Sequence, residues 1–335
     1  MRPSSTLRLL GVTLLVTLAS AQAAAPAGWP KFWFKGHVTN KETFKYNPTN
    51  EFIFPSVFHA GQYLDNPLAE WYIYYAPHEN PGGISLAYSD SLEGPWKEYA
   101  SNPIIKNKWD SYYSVPHVSS PDAAWNAETG RLFLYFHGDN TKTRWAESSD
   151  GINFRYGGVA VSTAMTSSST TETSYARVFS HPNGASKYNY AMFYMANESN
   201  NKRKIRLAES VDGRKWDVYS NYLVTGGSVE GDNVSGANYW VWKGQAYIIY
   251  HGSSGKMYAR TIDATLRKVG SEPIVFYQSR GQGQDVGRVA APDPVTSGEN
   301  TYLFYESGDR LGGTIAWAKM QKQSRRDLHE LAWEA

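Results

Sequence analysis

Five apolar, aromatic-rich runs recur along the chain: WYIYYA, LFLYFHG, NYAMFYMA, AYIIYHG and TYLFYES. Each is short enough for a strand and too short for an ordinary helix. Each alternates or is wholly apolar, as a buried strand should be. Turn residues stand between the runs, in NPGG, NAETG, HPNG, WKG and TSGEN. Around each run the chain repeats one grammar, over 54–96, 120–154, 175–216, 236–270 and 291–320. A lead strand precedes the core run, and a third strand follows it. Each unit is a small antiparallel sheet that cannot bury both its faces alone. Such units arranged around an axis make a propeller. The pattern therefore predicts an all-β, five-bladed β-propeller over 54–320. Residues 24–53 would form a lead-in that helps close the ring, and 321–335 a C-terminal tail.

The ends of the chain and its charge narrow the setting. Arg2 and Arg8 form a basic stretch before the apolar run LLGVTLLVTLA, and Ala21-Gln22-Ala23 fits a small-residue cleavage site. Residues 1–23 read as a secretory signal peptide, too short in its apolar part for a comfortable membrane span. The expected product is secreted, extracellular or periplasmic, without a membrane partner. Its removal leaves 31 basic against 31 acidic residues. A zero formal charge argues against a nucleic-acid partner held by bulk charge. There is no cysteine, which excludes disulfides and thiolate metal sites. The 12 Trp, 24 Tyr and 13 Phe suit sheet packing, and such rings also stack on sugars. Asn197-Glu-Ser and Asn233-Val-Ser are glycosylation sequons. Oligomeric state is not written in these features.

Antiparallel pairing brings the start of a lead strand beside the end of the core strand that follows it. Repeated round a ring, both sets of ends meet at one face of the axis. The core strands end in His137, His251 and Glu306, and Ala76 is followed by His78 in APHENPGG, a loop over the same face. The lead strands begin with His117, Ser119, Ser120, Asp122, Tyr175, Arg177, Asn238 and Asp293, with Arg288 just before the last. One mouth is expected to collect these histidines, acids and arginines. Any one of them has an ordinary structural use: Asp122 and Asp293 as turn caps, the arginines as ion-pair partners. Repetition of YFHG and YIIYHG at equivalent places argues for a shared site. His59 and His181 read as solvent-facing turn residues, and 162–174 as a serine-rich inter-blade loop. His137 and His251 could ligate a channel cation such as calcium, but no tight metal-ligand spacing demands one, and no cofactor is required.

LAYSDSLEGPW (86–96), RWAESSDGINF (144–154) and RLAESVDGRKW (206–216) resemble the outer-strand and turn signature of the five-bladed propeller glycosidases. These are glycoside hydrolase family 43 and its relatives in families 62, 32 and 117. The resemblance runs over about 55–320 and implies this fold, with three axial carboxylates opening blades one to three. The chain departs from that triad. Phe54 stands before Pro55, Ser120 before Pro121 with Asp122 after it, and Ser174 or Tyr175 opens blade three with Glu172 upstream.

Three functions stay open at this level. A glycosidase acting on a terminal sugar of a plant, algal or microbial glycan would use Asp122 and Glu306 with His137, His117 or His251. His78, Ser119, Ser120, Tyr175, Arg177, Arg288 and Asp293 would then hold the substrate. A polysaccharide lyase would set Arg177 or Arg288 on a uronate carboxylate and use His117, His137 or Tyr175 to move the proton. A sugar-binding propeller without turnover would need only stacking and orientation.

Overall fold

The computed structural model describes residues 22–321. Most of the expected leader and nearly all of the tail lie outside them. Within them the chain is a five-bladed β-propeller, each blade a four-stranded antiparallel sheet. The inner strands are Ile53–Phe58, Val118–Asn126, Thr170–Ser180, Val234–Trp242 and Val289–Ser297. The five apolar runs are the second strands: Trp71–Ala76, Arg131–Gly138, Tyr190–Glu198, Gln245–Gly252 and Asn300–Ser307. Phe32–His37 pairs with Thr314–Met320 as the outer strand of blade five, so the N-terminal segment closes the ring. No helix of the described residues is long and apolar enough to cross a membrane. Thr170–Ser174 belongs to the inner strand of blade three, so the serine-rich stretch is loop only in its first part.

Period-two alternation explains why the second strands are apolar on both faces. Leu132, Leu134 and Phe136 face blade one, against Tyr72, Tyr74 and Leu86. Phe133 and Tyr135, between them in sequence, face blade three, against Met192 and Tyr194. The same division holds between blades three and four, where Phe193 meets Ile248, and between four and five, where Ile249 meets Leu303. Phe304 with Ile73 and Tyr75 completes the circle.

The signature turns fasten neighbouring blades. In SSDG, Asp150 Oδ1 accepts from the Ile152 and Asn153 amides, and Gly151 takes φ +73°. Its carbonyl accepts from Tyr74 Oη of blade one at 2.7 Å. In SVDG, Asp212 Oδ1 accepts from Arg214 and Lys215, Gly213 takes φ +72°, and its carbonyl accepts from Tyr135 Oη of blade two at 2.6 Å. The motif is thus a turn plus an inter-blade latch, which is why it reports the fold and is silent on the reaction. A Cβ on Gly151 would stand 2.8 Å from Tyr74 Oη, in a conformation that side chains rarely adopt. Gly151→Ala should therefore destabilise the protein by about 1–3 kcal/mol. Tyr74→Phe, which removes only the latch hydrogen bond, should cost about 1 kcal/mol. Urea unfolding of both variants checks the order.

Candidate active site

Every inner strand carries a bulge at an equivalent place, and blade three has a second register shift between Thr170 and Glu172. The residues with positive φ are Phe54 (53°), Ser120 (52°), Tyr175 (52°), Gly236 (58°) and Ala291 (49°). In each case pairing with the second strand skips over that residue and the next. The extra residue breaks the alternation and re-aims the side chains on either side. Three levels result along the axis. Above the bulge, the last inner-strand pairs are Ile53–Ala76, Ser119–His137, Ser174–Met195, Ser235–His251 and Ala290–Glu306. At the bulge, Phe54, Tyr175 and Ala291 pack with Ile53 and Met195 into an apolar plug. Two residues beyond stand Ser56, Asp122, Arg177, Asn238 and Asp293.

That third level is a buried polar ring. Asp122 Oδ1 accepts from Arg177 Nη1 at 3.1 Å, and its Oδ2 accepts from the Val178 amide at 2.7 Å. Arg177 Nη2 donates to the Pro55 carbonyl at 2.7 Å, and its guanidinium lies 4.2 Å over the Phe54 ring. Ser56 Oγ accepts from the Ala123 amide at 2.9 Å. Asp293 accepts from the Val57 amide at 2.7 Å and from Asn238 Nδ2 at 3.1 Å. These side chains tie one inner strand to the next.

Asp122, Arg177 and Asp293 are therefore corrected from mouth residues to ring residues. The bulge turns them below the plug, where blade-to-blade partners hold their polar atoms. Of the other expected residues, His78, Tyr175, His251, Arg288 and Glu306 line one mouth above it, while His117, His137, Ser119 and Ser120 do not line the cavity. Tyr175 Oη is hydrogen-bonded to His78 Nε2 at 2.8 Å. The His137 ring centre lies 5.6 Å from that of Tyr175 and 5.4 Å from that of His117. His251 Nδ1 accepts from the Ala291 amide at 3.1 Å. Arg288 Nη1 donates to Glu306 Oε1 at 2.6 Å. Ser119 Oγ, Ser120 Oγ and His137 Nδ1 are buried with no protein partner among the described residues. His59 and His181, read as solvent-facing, are held by contacts: His59 stacks on Trp71 at 3.9 Å, and His181, with its side chain 2% exposed, meets Glu209 at 2.8 Å.

The mouth encloses about 460 Å³, within the range of small-ligand sites. Sequence reasoning missed Glu51, Arg203 and Arg310, which line it with His78, Tyr175 and Glu306. Glu51 lies before the first blade, Arg203 opens a third strand, and Arg310 sits in a loop after a second strand. No repeat position marks them. Asn233, in one of the two sequons, also lines the mouth, and its Oδ1 accepts from the Arg203 amide at 2.8 Å. A hollow of about 840 Å³ lies beyond the ring, lined by Tyr63, Trp125 and Phe179. It is larger, yet the histidines and arginines gather at the other end.

Burial sets the protonation of the mouth. It holds His137 and His251 well below the ordinary histidine value, and neighbouring positive charges (Arg203 for both, Arg288 for His251) push the same way. Both are neutral imidazoles at neutral pH. Burial also lowers His117 and raises the Tyr175 hydroxyl to about 12. Glu51 is raised by burial, although the His78 and Leu311 amides donate to its two oxygens. Among the described residues no group of three or more His, Asp or Glu is arranged to hold a metal ion. His251 accepts at Nδ1 from the Ala291 amide, so in the neutral ring Nε2 carries the proton and has no lone pair for a channel cation.

No family model matches the chain, and no curated protein matches it. Solved structures do, and they define the class of fold. One glycoside hydrolase superposes with a TM-score of 0.64 at 13% identity, over 88% of this chain and 94% of the other. A thermostable family-43 glycoside hydrolase gives 0.58 at 11% identity, over 82% and 90%. The α-L-arabinofuranosidase PaAbf62A from Podospora anserina, in complex with cellotriose, gives 0.58 at 9% identity, over 89% and 98%. The shared feature is the fold, a five-bladed β-propeller that these glycoside hydrolases also have. The positions where that resemblance expects carboxylates hold Phe54, Ser120 and Tyr175, each at the bulge with positive φ.

The ring makes a pH-dependent prediction. Burial raises Asp293 to about 6, above its ordinary 3.8. The folded state thus binds a proton that the unfolded state has lost, and stability from this group falls as pH rises from about 4 to 6. Asp293→Asn removes that loss. Its stability relative to wild type should rise by about 3 kcal/mol across this window. Denaturation of both proteins at pH 4, 5, 6 and 7 measures the difference, and a flat difference would refute it.

Proposed function

We propose that the chain cleaves a glycosidic bond at the axial mouth, as a glycosidase acting on a terminal sugar. One observation carries the reading. The hydrogen-bonded Tyr175–His78 pair and Glu306 line the same mouth, and Glu306 Oε2 has no protein donor among the described residues. Hydrolysis needs a proton for the leaving oxygen and a group to receive one from water. Glu306 Oε2 takes the proton of the attacking water, with Arg288 fixing its orientation through Oε1. The His78–Tyr175 pair protonates the leaving oxygen as the bond at the anomeric carbon breaks. His78 is partly exposed, so solvent returns its proton. Neutral His251, which lines the mouth, offers a hydrogen bond to a sugar hydroxyl. The plug beneath favours a glycan entering by its end. Likeness to glycoside hydrolases, one of them in complex with cellotriose, supports a saccharide substrate. The signal-like 1–23 segment supports export.

A second reading, β-elimination at a uronic acid, is favoured by a tyrosine standing where the resemblance expects a carboxylate. There a base removes the proton from the carbon that bears the carboxylate, the bond from the neighbouring carbon to the leaving oxygen breaks as the double bond forms, and that oxygen takes up a proton. The product is an unsaturated sugar with ultraviolet absorbance, formed without water.

Activity on a panel of neutral and uronate-containing glycans, read by reducing ends and by absorbance together, separates the two. Tyr175→Phe and Glu306→Gln should each lower kcat about 100- to 10,000-fold while the proteins stay folded. Reducing ends without absorbance, lost in both variants, support the hydrolase. Absorbance replaces it with the lyase. Full activity in Tyr175→Phe would remove this mouth from either mechanism.

A further inference from the structure

The mouth holds more positive charge than its own acids use. Its lining includes three arginines, Arg203, Arg288 and Arg310, and two glutamates, Glu51 and Glu306. Arg288 is paired with Glu306. Glu51 is spent on the backbone amides of His78 and Leu311. Among the described residues, the side chains of Arg203 and Arg310 form no ion pair with a carboxylate and no hydrogen bond. Arg203 is half-buried and Arg310 exposed at the rim, so both can meet a ligand, whereas the buried arginines elsewhere are spent on carboxylates: Arg177 on Asp122, Arg206 on Glu198, Arg260 on Glu230. The two unmatched guanidiniums flank the reacting groups. That of Arg203 lies 6.0 Å from the Tyr175 ring, and the charges of both act on the Tyr175 hydroxyl. His137 and His251 feel Arg203 as a neighbouring positive charge and stay neutral, so they add no competing charge. The chain without residues 1–23 has no net charge to draw anions in bulk, so this excess is local.

We propose that Arg203 and Arg310 are specificity residues that bind the carboxylate of an acidic sugar, a uronate, at the mouth. The inference rests on the reading of the mouth as a glycan site and names the class of sugar it takes. A guanidinium binds a carboxylate by two parallel N–H···O bonds, which a lysine cannot copy and a neutral hydroxymethyl group cannot accept with the same strength. Arg177 and Arg288, the arginines suggested by the sequence, are committed to Asp122 and Glu306. The acid-binding role falls to two residues that belong to no repeat.

Binding separates this inference from the cleavage reading, because it needs no turnover. Methyl glucuronide and methyl galacturonide would be titrated calorimetrically into the full protein, beside their methyl esters, the matching neutral glycosides and galactose 6-sulfate. The acids should bind at least about tenfold more tightly than their esters. Arg203→Gln and Arg310→Gln should each lose about tenfold or more for the acids and leave the neutral sugars unchanged. Arg203→Lys should recover only part, and raising the salt should weaken the acids alone. Equal affinity for acid and ester, no binding of the acids, or acid binding indifferent to both substitutions would overturn the proposal. Preference for the sulfated sugar would overturn the carboxylate assignment. Selective acid binding without cleavage of any glycan would remove the enzymatic reading and leave this one standing. Cleavage of neutral glycans without acid preference would do the reverse.

Discussion

At the axis Arg177 spans three strands. It donates to Asp122 of blade two and to the Pro55 carbonyl of blade one, while its own strand gives the Val178 amide to Asp122. Taking a guanidinium and a carboxylate out of water is costly unless each finds several partners. Here the partners are backbone groups of neighbouring inner strands, which have no ladder partner on their axial side. Asp293 does the same for Val57, and Ser56 for Ala123. The ring thus satisfies the edges that a propeller leaves open at its centre.

The ring exists because each inner strand is bulged. A regular strand would send alternate side chains to alternate faces of its blade. One residue with positive φ turns the next polar side chain along the axis and leaves the preceding one facing the mouth. Phe54, Ser120, Tyr175 and Ala291 hold this conformation without being glycine, and for Phe54, Tyr175 and Ala291 packing in the plug offsets the cost. The same bulge that builds the ring therefore presents the residues of the mouth. Tyr175 serves both: its ring completes the plug, and its hydroxyl meets His78.

Much of this is legible in the chain alone. The five strands, their two apolar faces and their turns follow from local pattern, because blade stacking buries every second strand on both sides. His251 and Glu306 can be placed at the mouth, since strand ends follow from pairing. Asp122, Arg177 and Asp293 cannot be placed, because a bulge shifts the face by one residue and leaves no mark in composition. Pro55, Pro121 and Pro292 follow the bulge in three blades and are its nearest visible trace. Arg203 and Arg310 carry no signal, since charged residues near turns are ordinary in any soluble chain.

The sequence by itself determined the number of blades, the identity of their core strands and the latch turns between them. Those are local, periodic properties, fixed by which residues bury well at spacings of two and which accept a turn. The tertiary structure alone decided which polar residues are spent on holding the ring and which remain free above the plug. That division depends on partners far apart in the chain, as between Val57 and Asp293, 236 residues, or Glu51 and Leu311, 260 residues. No local pattern records whether a distant backbone amide will claim a carboxylate first.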